Sequence, residues 1–398
     1  MAFITGFFGF CLTQHLLQRR NALPPAHLSG REWIWIQAVS LGELLLVPEL
    51  VGRMLEKKVH IHITTSTKAG RDLLNTLLQT RLKHGHITGG FFPIDLKSSL
   101  NPWIDAKPKC VILMETELWP NLIHLCSKNH IPIGIVNGRL TVKSTKWIKS
   151  LTMHSLSQID FVIARDHDSE DLFRKLGASR VHYGGNLKAA NVRPEPMQTP
   201  LLDLKILWES HPVWIMGNTL DGEEVELLNL WKKQKETRPN LKCILAPRQP
   251  KRFGDVEALI KSLNLTYTRA SIWKKNTQLI PQDILLLDTV GDLATIYQLG
   301  EFAFVGGGWS GNGGHNPLEP LRYGVRTFMG PRYDNFEDIV RPLLTTNSLW
   351  ALPVDRLPSQ IKALMNHDLR APDPALGSVL REFGKALDRT WKILEPRI

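Results

Sequence analysis

Three short stretches of this 398-residue chain place chemically active side chains at points where a strand would give way to a helix. The first runs Gly306-Gly307-Gly308-Trp309-Ser310-Gly311-Asn312-Gly313-Gly314-His315-Asn316-Pro317-Leu318-Glu319-Pro320, with six glycines in nine residues after an apolar run. Glycines let the backbone turn freely and approach a ligand closely, and Pro317 marks a helix start whose free N–H groups suit a phosphate. Glu319, in that first turn, is placed to accept from ribose hydroxyls. A flexible surface loop with an ordinary cap is the plainer alternative. Ordering so many glycines without a ligand is costly, which argues for a nucleotide site.

The second stretch is a pair of acidic turns. Ser40-Leu41-Gly42-Glu43 and Glu115-Thr116-Glu117-Leu118-Trp119-Pro120-Asn121 each follow an apolar run. A carboxylate at a strand end can act as general base, whereas at a helix start it is favoured by the dipole alone. Both readings stand for Glu43, and capping accounts for one of the other two acids. The third stretch, Ala246-Pro247-Arg248-Gln249-Pro250-Lys251-Arg252, carries three cations that either clamp a phosphate or lie in a solvated loop. Asp166-His167-Asp168 has the form of an Asp-x-Asp metal motif but precedes a helical pattern, so N-capping is the better reading. No His/Cys/carboxylate cluster has metal-ligand spacing, and neither a Gly-x-Ser-x-Gly elbow nor a Walker loop occurs.

The elements needed to position these turns alternate along the chain. Strand-like runs at 33–39, 59–64, 109–114, 131–136 and 161–164 are separated by helical patterns such as 71–83 and 118–128. The rhythm restarts with runs at 213–217, 241–246, 284–287, 302–306 and 325–329 and closes with a helical tail over 374–394. This βαβα order predicts parallel sheets with helices on both faces. The expected organisation is an amino-terminal segment 1–30, a first doubly wound Rossmann-like domain 31–190, a proline-bearing linker 191–200 and a second such domain 201–398 that includes the tail. Length alone also calls for two domains. Ligands in such domains bind beyond the carboxyl ends of the strands, in a cleft the two domains would share.

Composition narrows the setting. Hydrophobic residues make up 43% and charged residues 22%, as in ordinary globular proteins. Of the net charge of +11, residues 1–190 supply nearly all, with 23 Lys/Arg against 14 Asp/Glu. The first domain therefore meets something anionic, and without a nucleic-acid-binding signature a phospholipid or phosphorylated glycolipid fits better than nucleic acid. Met1 to Leu17 is apolar and aromatic but holds Thr13, Gln14 and His15, too few apolar residues in a row to span a bilayer. It reads as an interfacial anchor, with a helix packed on its own domain as the alternative. The cysteines, Cys11, Cys110, Cys126 and Cys243, have no paired spacing and suit a reducing compartment.

Taken together, the motifs resemble the 3-deoxy-D-manno-octulosonic acid (Kdo) transferases of lipopolysaccharide synthesis. The stretches that carry the resemblance are AVSLGE (38–43), TTSTKAG (64–70), METELWPN (114–121), NGRL (137–140), GNLK (185–188), NTLDGEE (218–224), PR (247–248), DTVGD (288–292) and GHNPLE (314–319). Each is weak singly; nine in register are specific. The resemblance implies a GT-B fold and an inverting, metal-independent and cofactor-free transfer. Kdo would pass from CMP-Kdo to the 6′-hydroxyl of a lipid A precursor at the cytoplasmic face of the inner membrane. It implies Glu43 as general base, and Glu115 and Lys188 as transition-state stabilisers. The CMP contacts it implies are Pro247, Arg248, Val290, Gly291, Asp292, Asn316, Pro317, Leu318 and Glu319. The chain departs from the family pattern at Gln37, Leu220 and Gln249, where His is usual, and at Asn218 and Lys251, where Ser and Glu are usual. Two other readings remain: a different GT-B enzyme, such as a UDP-sugar 2-epimerase or lipid A disaccharide synthase, and a non-catalytic glycolipid-binding relative.

Overall fold

The computed structural model describes residues 18–142, 144–145, 153–190, 196, 199–276, 281–311, 313–365 and 373–398. Among them the first half forms β1 (Trp33–Gln37), β2 (His60–Thr65), β3 (Ile87–Phe91), β4 (Cys110–Met114), β5 (Ile133–Gly138), β6 (Phe161–Ala164) and β7 (Val181–Tyr183), where β3 and β7 add to the five apolar runs. A second set comprises β8 (Val213–Thr219), β9 (Lys242–Pro247), β10 (Tyr267–Arg269), β11 (Ile284–Leu286), β12 (Phe302–Val305), β13 (Arg326–Met329) and β14 (Leu349–Ala351). Each set forms one seven-stranded sheet, ordered β3-β2-β1-β4-β5-β6-β7 and β10-β11-β9-β8-β12-β13-β14, with every pair parallel.

Strand alternation sends neighbouring residues to opposite faces, and both faces are covered by helices. In β1, Trp33 and Trp35 enter one core while Ile34 and Ile36 enter the other. In β8, Trp214 and Met216 face one core and Val213 and Ile215 the opposite one. Every residue of β1, β4 and β8 is buried, as central parallel strands must be. In each sheet the winding reverses beside the first strand, between β1 and β4 and between β8 and β12. Such switch points open a crevice at the carboxyl ends of the strands. The acidic turns follow β1 and β4, and the glycine-rich run follows β12.

Contacts divide the chain into two units, and two boundaries differ from those expected from the sequence. The tail does not stay with the second unit: Phe383–Ile398 packs with the first. Trp391 and Leu394 of the helix Ala386–Leu394 join the first unit's core, and Arg389 Nε donates to the Gly184 carbonyl at 3.0 Å. The sequence pattern reveals the tail's apolar stripe but not which sheet it covers. At the other end, residues 18–30 also pack on the first unit. Arg19 is buried with Nε donating to the Phe92 carbonyl at 3.0 Å, and Trp103 Nε1 donates to that of Ala22. The anchor reading for residues 1–17 and most of the linker 191–200 lie outside the described residues. Among the described residues, no helix is long and apolar enough to cross a membrane.

Candidate active site

In the first unit, β1 ends at Gln37 and the chain turns into the short helix Leu41–Leu44. Ser40 caps that helix, its Oγ accepting from the Glu43 N–H at 3.1 Å, while Glu43 Oε2 accepts from the Val39 N–H at 2.7 Å. This is a capping box shifted by one residue, the carboxylate reaching the Val39 N–H just before the cap, so the capping reading of Glu43 is correct as far as it goes. It does not exhaust the residue. Glu43 is only 4% exposed, and burial pushes its carboxyl above the ordinary range against the pull of the Ser40 and Val39 hydrogen bonds; Glu115 pushes the same way. A buried carboxylate that holds its proton more tightly is a stronger base.

Glu115 stands at the end of β4 with φ +55°, a left-handed conformation uncommon outside glycine. Its N–H donates to the Val136 carbonyl at 2.9 Å, and its carboxylate pairs with Lys188 Nζ at 2.5 Å. Lys188 lies on the helix Leu187–Ala190 after β7, whose start is held by Asn137 Oδ1 accepting from the Leu187 N–H at 2.9 Å. A Cβ on Gly42 would sit 3.8 Å from Lys188 Nζ, so the Glu43 turn and the Glu115–Lys188 pair are neighbours. Glu117 completes the group. Burial pushes its carboxyl up to about 8, and the charges of Glu43 and Glu115 add to the effect. The structure thus brings together Glu43, Glu115 and Lys188, from three strand ends.

In the second unit the expected donor residues lie at or beyond the carboxyl ends of β9, β11 and β12 but do not all line one space. A cavity of about 700 Å³ is bounded by Leu220, Arg248, Gln249, Pro250, Lys251 and His315. Arg248 is steadied by Asn218 Oδ1, which accepts from it at 3.3 Å. Burial and the nearby Arg248 push the His315 imidazole down to about 4, so it is neutral at physiological pH. Two cations and no carboxylate line this cavity. The third cation of the loop, Arg252, is instead spent on Glu224 and Asp221. Pro247, Val290–Asp292 and Asn316–Glu319 lie outside the cavity lining. Val290 is 81% exposed on a turn made by Gly291 at φ +95°, and Asp292 pairs with Lys274 Nζ at 2.6 Å and accepts from the Thr289 hydroxyl.

The first amides of the glycine-rich run have a partner within the protein. The Gly307 N–H donates to both carboxylate oxygens of Glu223 at 2.9 Å, and the Trp309 N–H donates to Oε1 at 3.2 Å. Farther along, the Leu318 N–H donates to Asn316 Oδ1 at 3.1 Å. A carboxylate distant in sequence thus holds the start of the run, well before the helix start at Pro317 where a phosphate is expected. The Asp166 expectation holds, since its side chain accepts from the Ser169 N–H at 2.6 Å as the cap of His167–Lys175. Among the described residues, no group of three or more His, Cys, Asp or Glu is arranged to hold a metal ion.

Comparison with known proteins decides the family. A family model described as 3-deoxy-D-manno-octulosonic-acid transferase (kdotransferase) matches residues 14–191. The chain is 31% identical over 401 residues to the 3-deoxy-D-manno-octulosonic acid transferase of Haemophilus influenzae, covering 96% of this chain and 91% of that one. The chain belongs to the Kdo transferase family. The enzyme of the same name from Bordetella pertussis is 27% identical over 346 residues, 84% of this chain and 79% of its own. Among solved structures, the UDP-GlcNAc 2-epimerase of Neisseria meningitidis bound to UDP-GlcNAc aligns with a TM-score of 0.57 at 12% identity, covering 89% and 99% of the two chains. A glycosyltransferase of Rickettsia africae aligns at 0.57 and 11%, covering 92% and 98%. These share the GT-B fold of two doubly wound sheets.

Within this Kdo transferase-family chain, sequence reasoning singled out Glu43, Glu115, Lys188 and Arg248, left Glu117 between an acid/base and a capping role, and passed over Glu223 and His315. All three lay inside recognised motifs. What could have separated them was burial, which a strand-end acid or a loop histidine does not advertise in sequence.

Proposed function

We propose that this chain transfers Kdo from CMP-Kdo to the 6′-hydroxyl of a lipid A precursor, with inversion and without metal or cofactor. The work would be done against the cytoplasmic face of the inner membrane. The observation that carries the reading is Glu43: a buried carboxylate of raised proton affinity, beside a carboxylate–ammonium pair, at the switch point of the more basic unit. Glu43 takes the proton of the acceptor hydroxyl as its oxygen bonds to the anomeric carbon of Kdo. The bond from that carbon to the phosphate oxygen breaks, and its electron pair leaves with CMP. Glu115, with its charge steadied by Lys188, stabilises the oxocarbenium-like centre. Arg248 and Lys251, lining a cavity without carboxylates, suit a leaving group that carries a single phosphate. The bisphosphorylated acceptor and the anionic membrane surface account for the charge of residues 1–190.

The reading is tested by incubating the protein with CMP-Kdo and a tetraacylated disaccharide bisphosphate. The expected result is CMP release matched by an acceptor heavier by Kdo. Turnover of a UDP-sugar instead, or CMP bound without any transfer, would refute it.

A further inference from the structure

The geometry points to Glu223 as a positioning residue that joins the two walls of the donor cavity, and through them sets donor affinity. Glu223 opens the helix Glu223–Thr237 after β8 and is 2% exposed. Its carboxylate accepts from the Leu220 N–H at 3.0 Å on its own loop, and from the Gly307 and Trp309 N–H groups on the loop after β12. Leu220 is one wall of the cavity. Gly307 leads to the other: its carbonyl accepts from the Gly314 N–H at 3.1 Å, and a Cβ built on it would lie 3.0 Å from the His315 ring. One side chain therefore spans the β8/β12 crevice and fixes Leu220 and His315 relative to each other.

The sequence accommodates the clamp at a cost. A Cβ on Gly306 would fall 2.4 Å from the Asn218 carbonyl oxygen and 2.6 Å from Glu223 Oε2, and Gly307 holds φ +88°, so a side chain at either position would disturb the loop that meets the carboxylate. A buried carboxylate without these amides would be expensive to keep, while amides without it would be left unpaired. Glu223 thus acts as a resident anion on the glycine-rich loop. The donor's phosphate is left to Arg248 and Lys251.

This inference rests on the CMP-Kdo reading, and its test separates the two. Glu223→Gln keeps the shape but turns one acceptor oxygen into an NH₂ group that faces amide donors. The expected result is a donor KM raised about tenfold with kcat within about threefold, together with faster amide hydrogen exchange over 302–311 and unchanged exchange over 213–217. Ile361→Val, in the second unit's core, serves as a comparison that lowers stability and leaves donor KM alone. A parent that does not turn over CMP-Kdo overturns the donor reading and this inference with it. A parent that turns over while Glu223→Gln keeps the parental KM, or loses kcat at unchanged KM, overturns this inference only.

Discussion

The two switch points share one topology and carry opposite electrostatics. At the end of β1 and β4, Glu115 lies close enough to raise the proton affinity of Glu43, both raise that of Glu117, and Lys188 pairs with Glu115. Beyond β8 and β9, Arg248 and Lys251 line a cavity with a neutral imidazole and no carboxylate. The same doubly wound sheet thus carries an acid-rich strand-end surface in one unit and a cation-lined cavity in the other, which the proposed function uses as base and anion site. Strand-end loops, and not the sheets, decide the chemistry. Carboxylates are also used in contrasting ways. Burial raises the proton affinity of both, but Glu43 is held by hydrogen bonds within its own turn, whereas Glu223 takes amides from two loops and joins them.

If this division is correct, the largest effect belongs to the first unit. Glu43→Gln should lower kcat for transfer by about a thousandfold, within the range of a lost general base; initial rates at saturating donor check this. Next comes Lys188→Ala, which strips Glu115 of its counter-charge and should cost about a hundredfold in kcat with little change in donor KM. Because the Glu43 carboxyl is raised, the rate should climb with pH through a value above the usual carboxylate range. It should fall again above about pH 8, where Glu117 ionises beside Glu43 and Glu115. Glu117→Gln, frozen in the neutral state, should flatten that alkaline limb in a pH–rate profile.

The same group links pH to stability. Its folded pKa lies above the unfolded value, so its contribution is fully present below about pH 4.5 and lost as pH rises through about 8. Glu117→Gln should therefore stabilise the protein at pH 8 relative to the parent, by about 2 kcal/mol once the screening by water around a half-buried group is allowed for; denaturant titration at pH 4.5 and 8 measures it. The smallest effect is Ser40→Ala, which removes one half of the capping box and should cost about 1 kcal/mol of stability.

Legibility in the sequence followed burial. Ten strands at the middle of the sheets showed as apolar runs, among them Trp33–Gln37 and Val213–Thr219. The four that did not show, Ile87–Phe91, Val181–Tyr183, Tyr267–Arg269 and Leu349–Ala351, are the four sheet edges. Edge strands are short and covered on fewer sides, so ITGGF and YTR carry no continuous apolar signal. Within the site, Lys188 was legible only through the family resemblance, because the strand before it did not show, whereas Glu43, Glu115 and Arg248 were legible as residues at strand ends. The Glu223 bridge to Gly307 was not, because it joins residues 84 apart in sequence through hydrogen bonds that leave no periodic trace. Nor could the pattern tell that the tail helix returns to the first unit, since an apolar stripe names no partner.

The division of labour is tested most directly by measuring CMP affinity calorimetrically in Glu43→Gln and Arg248→Ala side by side. Glu43→Gln should bind CMP within about twofold of the parent although it no longer transfers Kdo, while Arg248→Ala should bind at least tenfold more weakly. Weakened CMP binding in the glutamine variant, or parental binding in the alanine variant, would contradict it.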